Sequence, residues 1–205
     1  MLELKESIKQ LQSEGKEILL FFDLVYIHYS KLNINKIFEI FSDFPFFFNF
    51  SSSKTLSLYG FRAGCLCLYS KIEEDLKLFP EKIAFSARAS TGSINHYGYN
   101  IIEKFSNNSN IFELETSWEF VKTNLRLRAD KLVAIFNAHD IEYYRYDEGF
   151  FFSFYSKKCD INLLFNKLKE NGIFFIPQKE TIRVAISSIS IDKLDELEKR
   201  FDILL

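Results

Sequence analysis

One lysine in this chain of 205 residues lies at a position where its amine could react with a ligand rather than only contribute a surface charge. Lys54 follows an apolar run that ends at Phe50. A lysine at the end of a buried strand is costly unless its charge is paired or its pKa is lowered. A lysine with a lowered pKa is an amine that can form a Schiff base with a carbonyl compound. The position of Lys54 therefore predicts a covalent attachment site.

Groups suited to a phosphate lie at short distances along the sequence from this lysine. Ser51 and Ser53 carry hydroxyls three positions and one position before it, and Arg62 follows eight positions after it. A phosphate binds a hydroxyl donor and a planar guanidinium that is always charged. A reactive lysine beside a phosphate-binding group suggests pyridoxal phosphate as the cofactor. The alternative is a loop lysine that happens to lie near an unrelated arginine.

The stretch from residue 51 to residue 64, with Tyr59 and Gly64 in addition to the residues above, resembles the cofactor-lysine signature of the fold-type I, class I and II aminotransferases. It is similar in particular to the aspartate and aromatic amino acid aminotransferases. The resemblance implies that Lys54 is the catalytic lysine and binds pyridoxal 5'-phosphate, together with Ser51, Ser53 and Arg62. It also implies transamination between an L-amino acid and a 2-oxo acid.

A second element of the same family is found upstream of the lysine. The apolar run over residues 18–22 predicts a strand that is covered on both faces, and it ends in Asp23. Open α/β sheets bind their ligands at the carboxyl ends of such strands. With Tyr26, and with Val25 in place of an alanine, this element resembles the family's Asp-x-Ala-Tyr, which implies that Asp23 and Tyr26 bind the cofactor. Without the resemblance, Asp23 would be interpreted as a helix cap or turn residue.

Arginines are the candidates for binding the substrate. Arg183 begins an otherwise apolar strand and needs an anion there, and it resembles the family arginine that binds the substrate α-carboxylate. Arg88 stands where aspartate-type enzymes place an arginine that reaches the neighbouring subunit's site, but the segment 91–95 departs from the family, and a surface arginine is the alternative. Arg126 and Arg128 are assigned to the solvent-facing side of a long helix.

The pattern of apolar residues predicts an α/β fold, which the resemblance describes as the remainder of a mostly parallel large-domain sheet plus a small α+β domain. Helices are predicted over residues 2–13, 36–41, 82–89, 97–105, 112–137, 161–169 and 192–204, and strands over 18–22, from 45 onward, over 65–69, over 150–155 and as a pair within 172–186. The predicted division is 1–110 for the large-domain part, 111–139 for an interdomain helix and 140–205 for the small domain.

Composition excludes several classes of protein. The net charge is -2 and the chain has no basic block, so nucleic acid is not an expected partner. Its apolar runs are too short to cross a bilayer, so a membrane is not expected either. Three cysteines and no signal segment suit the cytoplasm. Cys65 and Cys67 are interpreted as small buried hydrophobic residues rather than metal ligands, and the histidines lack the spacing of a metal site or a catalytic triad.

The resemblance covers nearly the whole chain, but it corresponds to only the C-terminal half of a full-length member of the family. Missing are the Gly-rich phosphate loop, the aromatic residue that stacks on the cofactor, the asparagine of Asn-Pro-x-Gly and the tyrosine contributed across the family's homodimer. We therefore expect a partial chain from a truncated, split or misannotated reading frame. Alone it should be unstable or inactive, and a separate N-terminal half could rebuild a site with it. The alternatives are an inactive subunit that pairs with a full-length relative, and a regulator that uses the fold to sense an effector. The regulator is disfavoured because no DNA-binding helix pair precedes the domain.

Overall fold

The computed structural model describes residues 1–93, 95–157 and 160–204 of the chain. The chain divides into two compact units, Met1–Thr116 and Ser117–Leu205. Each unit contains its own cluster of buried apolar side chains. Over the described ranges, no helix combines the length and the apolar character needed to cross a membrane.

The first unit combines helices with a short sheet. Its helices are α1 (Leu2–Ser13), α2 (Ile34–Phe41), α3 (Ser52–Thr55), α4 (Glu73–Ser90) and α5 (His96–Ser106), with single 3-10 turns at Ile27–Tyr29 and Tyr59–Phe61. Its strands are β1 (Leu20–Phe22), β2 (Phe46–Ser51) and β3 (Gly64–Tyr69). A further helix, α6 (Asn108–Ala138), contains residues of both units.

The sheet of the first unit is mixed. β1 and β2 run parallel, with Phe22 opposite Phe48, so their carboxyl ends lie at the same edge. β2 and β3 run antiparallel, with Ser51 opposite Gly64. A Cβ atom on Gly64 would lie 2.6 Å from the carbonyl oxygen of Phe50, so only glycine allows this close pairing. The register brings the residues that follow β1 next to those at the end of β2.

The core of the first unit lies on one face of this sheet. Phe46 of β2 and Phe41 of α2 are fully buried, and Phe22 of β1 packs against both rings. On the opposite face, Leu19 and Phe21 have 69% and 54% of their surface exposed. The prediction that this strand is covered on both faces is therefore wrong for the described chain, because α1 and α2 pack on one face only.

The second unit is built on an antiparallel sheet. Its elements besides α6 are β4 (Glu142–Tyr143), β5 (Phe151–Tyr155), α7 (Ile161–Glu170), β6 (Ile176–Pro177), β7 (Ile182–Ala185) and α8 (Ile191–Leu204). The strand order is β4-β5-β7-β6. Alternate residues of β5 and β7 point into the core, where Phe152, Phe154, Ile182 and Val184 pack with Phe136 of α6. This alternation is the period of a strand with one covered face.

The α/β fold class is confirmed, and the predicted elements of the second unit are found with shifts of one or two residues, except that the helix predicted over 112–137 begins four residues earlier, as α6. The short strand β4 was not predicted. The predicted helix over 82–89 is part of the longer α4, which contains Pro80. Arg128 is not solvent-facing as predicted, because its Nη1 donates to the carbonyl oxygens of Ile186 and Ser187 at 3.1 and 2.9 Å. The predicted domain boundaries stay a prediction.

The two cysteines of β3 also differ from their interpretation as buried hydrophobic residues. Cys65 is exposed and Cys67 is half-buried. The alternation of the strand places both side chains on one face, but the described helices do not fully cover that face at its β3 edge.

Candidate functional site

Lys54 lies in α3, the single helical turn that follows β2. The turn is fixed at its start by Ser52, whose backbone N–H and side-chain hydroxyl both donate to the carbonyl oxygen of Ala63, at 3.1 and 2.7 Å. Ser52 is fully buried. It lies between Ser51 and Ser53, the two half-buried serines that the sequence indicated, and it was missed because a buried structural hydroxyl has no signature in sequence.

The Lys54 side chain is half-buried between two aromatic rings. Its Nζ lies 5.6 Å from the ring centroid of Tyr26 and 5.7 Å from that of Tyr59, distances at which a cation is attracted to the ring face. The backbone of the lysine is held separately, since the Tyr29 hydroxyl donates to the Lys54 carbonyl oxygen at 2.9 Å. The ion pairs within the described ranges do not include Lys54.

Arg62 also contacts Tyr59. The Cζ of Arg62 is 4.7 Å from the centroid of the Tyr59 ring, and Nη1 donates to the Tyr59 carbonyl oxygen at 3.1 Å. The residue has a φ of 51°, in the left-handed region that few non-glycine residues adopt. Arg62 and Lys54 therefore both contact the Tyr59 ring, and the Arg62 guanidinium remains exposed to solvent.

Asp23 directly follows β1 and is held by a residue of β2. The Asn49 side-chain amide donates to Asp23 Oδ1 at 2.9 Å, and Asn49 Oδ1 accepts from the backbone N–H of Leu24 at 2.8 Å. This double contact orients an exposed carboxylate at the same sheet edge from which α3 begins. Asn49 was missed in the sequence, although it is the polar residue within the run Phe46–Phe50.

His28 and Thr55 form a second contact between the β1 segment and α3. His28 Nδ1 lies 3.3 Å from Thr55 Oγ1, directly after Lys54 in sequence. Burial lowers the pKa of His28 and raises the pKa of the Tyr29 hydroxyl. Both groups are therefore neutral at pH 7, and they act as packing and hydrogen-bonding groups around the lysine turn.

The structure does not bring Arg88 into this cluster. Arg88 is exposed near the end of α4, a helix without a buried residue. None of the hydrogen bonds or ion pairs between described residues includes it. Its position fits the surface alternative as well as a contact with another chain.

Arg183 belongs to the second unit, on β7 opposite Ser153 of β5. Its Cζ lies 4.5 Å from the centroid of the Phe151 ring. The Nε atom of Arg183 is buried and has no hydrogen-bond partner among the described residues. A buried polar nitrogen without a partner is unfavourable and calls for an explanation, and an anionic ligand is the simplest one for a guanidinium.

The first unit thus collects an amine, a carboxylate, phenol rings and a guanidinium within the segment 23–62. Such a set can hold a ligand that carries an aldehyde at one point, a basic ring nitrogen at another and an anionic group at a third. Groups of three or more side chains suited to hold a metal ion do not occur among the residues that the structure describes.

Comparison with known proteins places this chain in a family. The sequence profile described as aminotransferase class I and II matches residues 4–201. The chain superimposes on an aminotransferase from Anaerococcus prevotii with a TM-score of 0.82 and 28% identity, covering 98% of this chain and 49% of the other. A comparison with curated proteins gives no match.

Two further structures share the fold at lower identity. Aspartate aminotransferase from Thermus thermophilus, solved with maleate, gives a TM-score of 0.79 at 19% identity and covers 99% of this chain and 52% of its own. Aromatic-amino-acid aminotransferase from Burkholderia pseudomallei, covalently bound to pyridoxal phosphate, gives 0.76 at 18%, covering 100% of this chain and 51% of its own. The chain spans about half the length of these relatives. The resemblance predicted from the lysine signature is confirmed, and the chain belongs to the class I and II aminotransferase family.

Proposed function

We propose that this chain is the C-terminal half of an aminotransferase and that Lys54 holds pyridoxal phosphate. The observation that carries the proposal is the position of the Lys54 amine between the rings of Tyr26 and Tyr59, at the sheet edge where Asn49 orients Asp23. When bound, pyridoxal phosphate supplies an electron-accepting ring through which an amino group is exchanged. The residues present fit this group: an amine for the aldehyde, a carboxylate for the ring nitrogen and a guanidinium for the phosphate.

Each residue has a role that its chemistry supports. Lys54 binds the aldehyde and afterwards carries the proton at the substrate Cα as general base and acid. Asp23 keeps the ring nitrogen protonated, and Tyr26 donates to the ring hydroxyl oxygen. Arg62 binds the phosphate through its exposed guanidinium, assisted by hydroxyls of the flanking serines, Ser51 and Ser53.

The proposed substrates are an L-amino acid and a 2-oxo acid. Arg183 binds their α-carboxylate in a bidentate fork, which fixes the orientation of the Cα–H bond for proton transfer. The buried and unpaired Nε of Arg183 supports this role. We assign to Arg88 the distal carboxylate of a substrate bound by the partner subunit of a homodimer, since its exposed side chain is available to a second chain.

Activity of the whole enzyme depends on the half of the fold that this chain does not span. The relatives are about twice as long. In the first unit, Leu19 and Phe21 of the β1 segment and Phe85 of α4 leave apolar surface exposed. Exposed apolar surface at a sheet face is typical of an interface. We propose that an N-terminal half, on the same or a separate chain and in the cytoplasm, covers this surface and completes the site.

Borohydride reduction tests the cofactor role without requiring activity. The chain is mixed with pyridoxal phosphate, reduced and digested, and peptide mass spectrometry locates the label. We expect the label on Lys54 in the native chain and its loss in Lys54→Arg, whereas Lys77→Arg, a change at an exposed lysine of α4, keeps it. A label spread equally over surface lysines in the native chain and in Lys54→Arg would contradict the proposal.

A second measurement separates an enzyme half from an inactive subunit. The chain is purified with the N-terminal half of the Anaerococcus prevotii aminotransferase, and 2-oxo acid release from L-amino acids is measured with a second 2-oxo acid present to accept the amino group. Turnover that requires both halves and is lost in Lys54→Arg supports the enzyme. A stable complex that carries the Lys54 label but shows no turnover would instead support the inactive interaction subunit.

A further inference from the structure

Two cysteine thiols meet on the surface of β3, apart from the groups assigned to the cofactor. Cys65 and Cys67 lie two residues apart on one strand, and their Sγ atoms are 3.7 Å from each other. Cys65 is exposed and Cys67 is half-buried, so the pair is accessible from solvent. Since neither thiol is in a disulfide, both are available to a ligand.

The sulfur separation favours a bridge of one atom over a direct bond. A disulfide requires sulfurs about 2.05 Å apart, and residues two apart on a strand have Cα atoms about 6.6 Å apart, near the upper limit for a disulfide. A pyramidal atom with bonds to sulfur of about 2.3 Å and an angle of about 100° between them holds two sulfurs about 3.5 Å apart. The observed 3.7 Å is close to this second arrangement, so a one-atom bridge requires only a small side-chain adjustment.

The surroundings decide which bridging atom fits. A divalent metal ion needs further protein ligands, and among the described residues the pair has none to add. A metal ion would also have to displace thiol protons, and burial together with the neighbouring Cys67 raises the pKa of Cys65 to about 11. A ligand that needs two thiols only, and that removes their protons in the reaction itself, avoids both obstacles.

We propose that Cys65 and Cys67 together form a dithiol site for a trivalent arsenical that carries one organic substituent. The arsenic–oxygen double bond of R–As=O breaks, two arsenic–sulfur bonds form, and the two thiol protons leave with the oxygen as water. Arsenic stays trivalent, so the step needs no oxidant or reductant. Phe50 is opposite Cys65 in the β2–β3 register and gives the organic substituent an apolar neighbour, which favours an aryl group.

The site is tested by titrating the reduced chain with phenylarsine oxide and recording intact mass and free thiols. We expect one adduct for each chain, with two thiols lost and one retained. The adduct should survive excess glutathione, a monothiol, and should be released by dithiothreitol, a dithiol. Two attachment points hold a ligand at least about a hundredfold more tightly than one, so Cys65→Ser and Cys67→Ser should each weaken binding by that factor.

The third cysteine provides the matched control. Cys159→Ser should bind phenylarsine oxide as the native chain does. Circular dichroism of the variants excludes loss of folding as the cause of weaker binding. The proposal is overturned if a single Cys65→Ser or Cys67→Ser change leaves the affinity unaltered, if Cys159→Ser abolishes binding, or if the native chain in glutathione buffer loses two hydrogens to a disulfide and takes up no arsenical.

Discussion

Asn49 is predicted to be the residue that sets the position of the Asp23 carboxylate, and Asn49→Ala tests this directly. The change removes an acceptor from the Leu24 N–H and a donor from Asp23. Leu24 is only 8% exposed, so its N–H loses its partner in a site with little access to water. An unsatisfied buried donor costs about 1–3 kcal/mol, and the bond to the exposed Asp23 adds less than about 1 kcal/mol. We expect the free energy of unfolding to fall by about 2 kcal/mol.

Urea denaturation measures this loss. With a slope of about 2 kcal/mol per molar, the midpoint should fall by about 1 M, and amide exchange at Leu24 should become faster. The affinity for pyridoxal phosphate, measured by borohydride trapping, should fall as well, because Asp23 is no longer oriented. This second effect rests on the proposed function, whereas the loss of stability does not.

Asn49→Asp is the matched control. It keeps an acceptor for the Leu24 N–H but places a second carboxylate beside Asp23. Two ionised carboxylates in contact repel each other, so the variant should be less stable than the native chain at pH 7. The pair takes up a proton more readily than isolated carboxylates do, so the variant should recover part of that loss as the pH falls towards 4. Equal midpoints for the native chain and both variants would refute the role of Asn49. A pH-independent loss in Asn49→Asp would refute its contact with Asp23.

Four further substitutions test the described contacts. Ser52→Ala should lower the free energy of unfolding by only about 1 kcal/mol, since the Ala63 carbonyl oxygen keeps its bond from the backbone N–H, and an unchanged urea midpoint would contradict this. The native chain should lose stability as the pH falls below about 6.5, because burial lowers the pKa of His28 in the folded state and the unfolded chain therefore binds the proton more tightly. The urea midpoints at pH 7.5 and pH 5.5 should differ less in His28→Gln than in the native chain. Arg183→Met should leave thermal stability equal or higher, because it removes a buried Nε that has no partner among the described residues. Arg128→Met removes a similar Nε but also two hydrogen bonds to backbone carbonyls, so it should lower thermal stability.

The lysine site could be found from sequence because its residues lie at fixed intervals on one short stretch. Ser53 and Lys54 lie in the single turn α3, and only a loop with the 3-10 turn Tyr59–Phe61 separates them from Arg62, so their spacing survives in the sequence. The partners that position them could not be found this way. Tyr29 and Asn49 meet residues 25 positions away, and those contacts depend on the parallel register of β1 and β2, which no local pattern specifies.

Exposure was the other quantity that the sequence did not determine. Alternation along a strand predicts which side chains share a face, and Cys65 and Cys67, two positions apart in β3, do share one. Whether that face is covered depends on the number of helices that pack on it. The same limit explains Phe21, which lies in an apolar run typical of a strand covered on both faces and yet is largely exposed.

The residues proposed to bind the cofactor and the arginine proposed to bind the substrate are positioned by contacts in different units. The contacts described above that position Asp23, Lys54 and Arg62 lie within the first unit, in β2 and in the segments that follow β1 and β2 and precede β3. Arg183 is oriented independently within the second unit, by Phe151 and the β5–β7 pairing. If the proposed function holds, attachment of the cofactor to Lys54 should require only the fold of the first unit, whereas turnover should also require the substrate arginine and the half of the fold that covers the exposed sheet face. We therefore expect a Lys54 label without turnover in the isolated chain, followed by turnover after the second half is added.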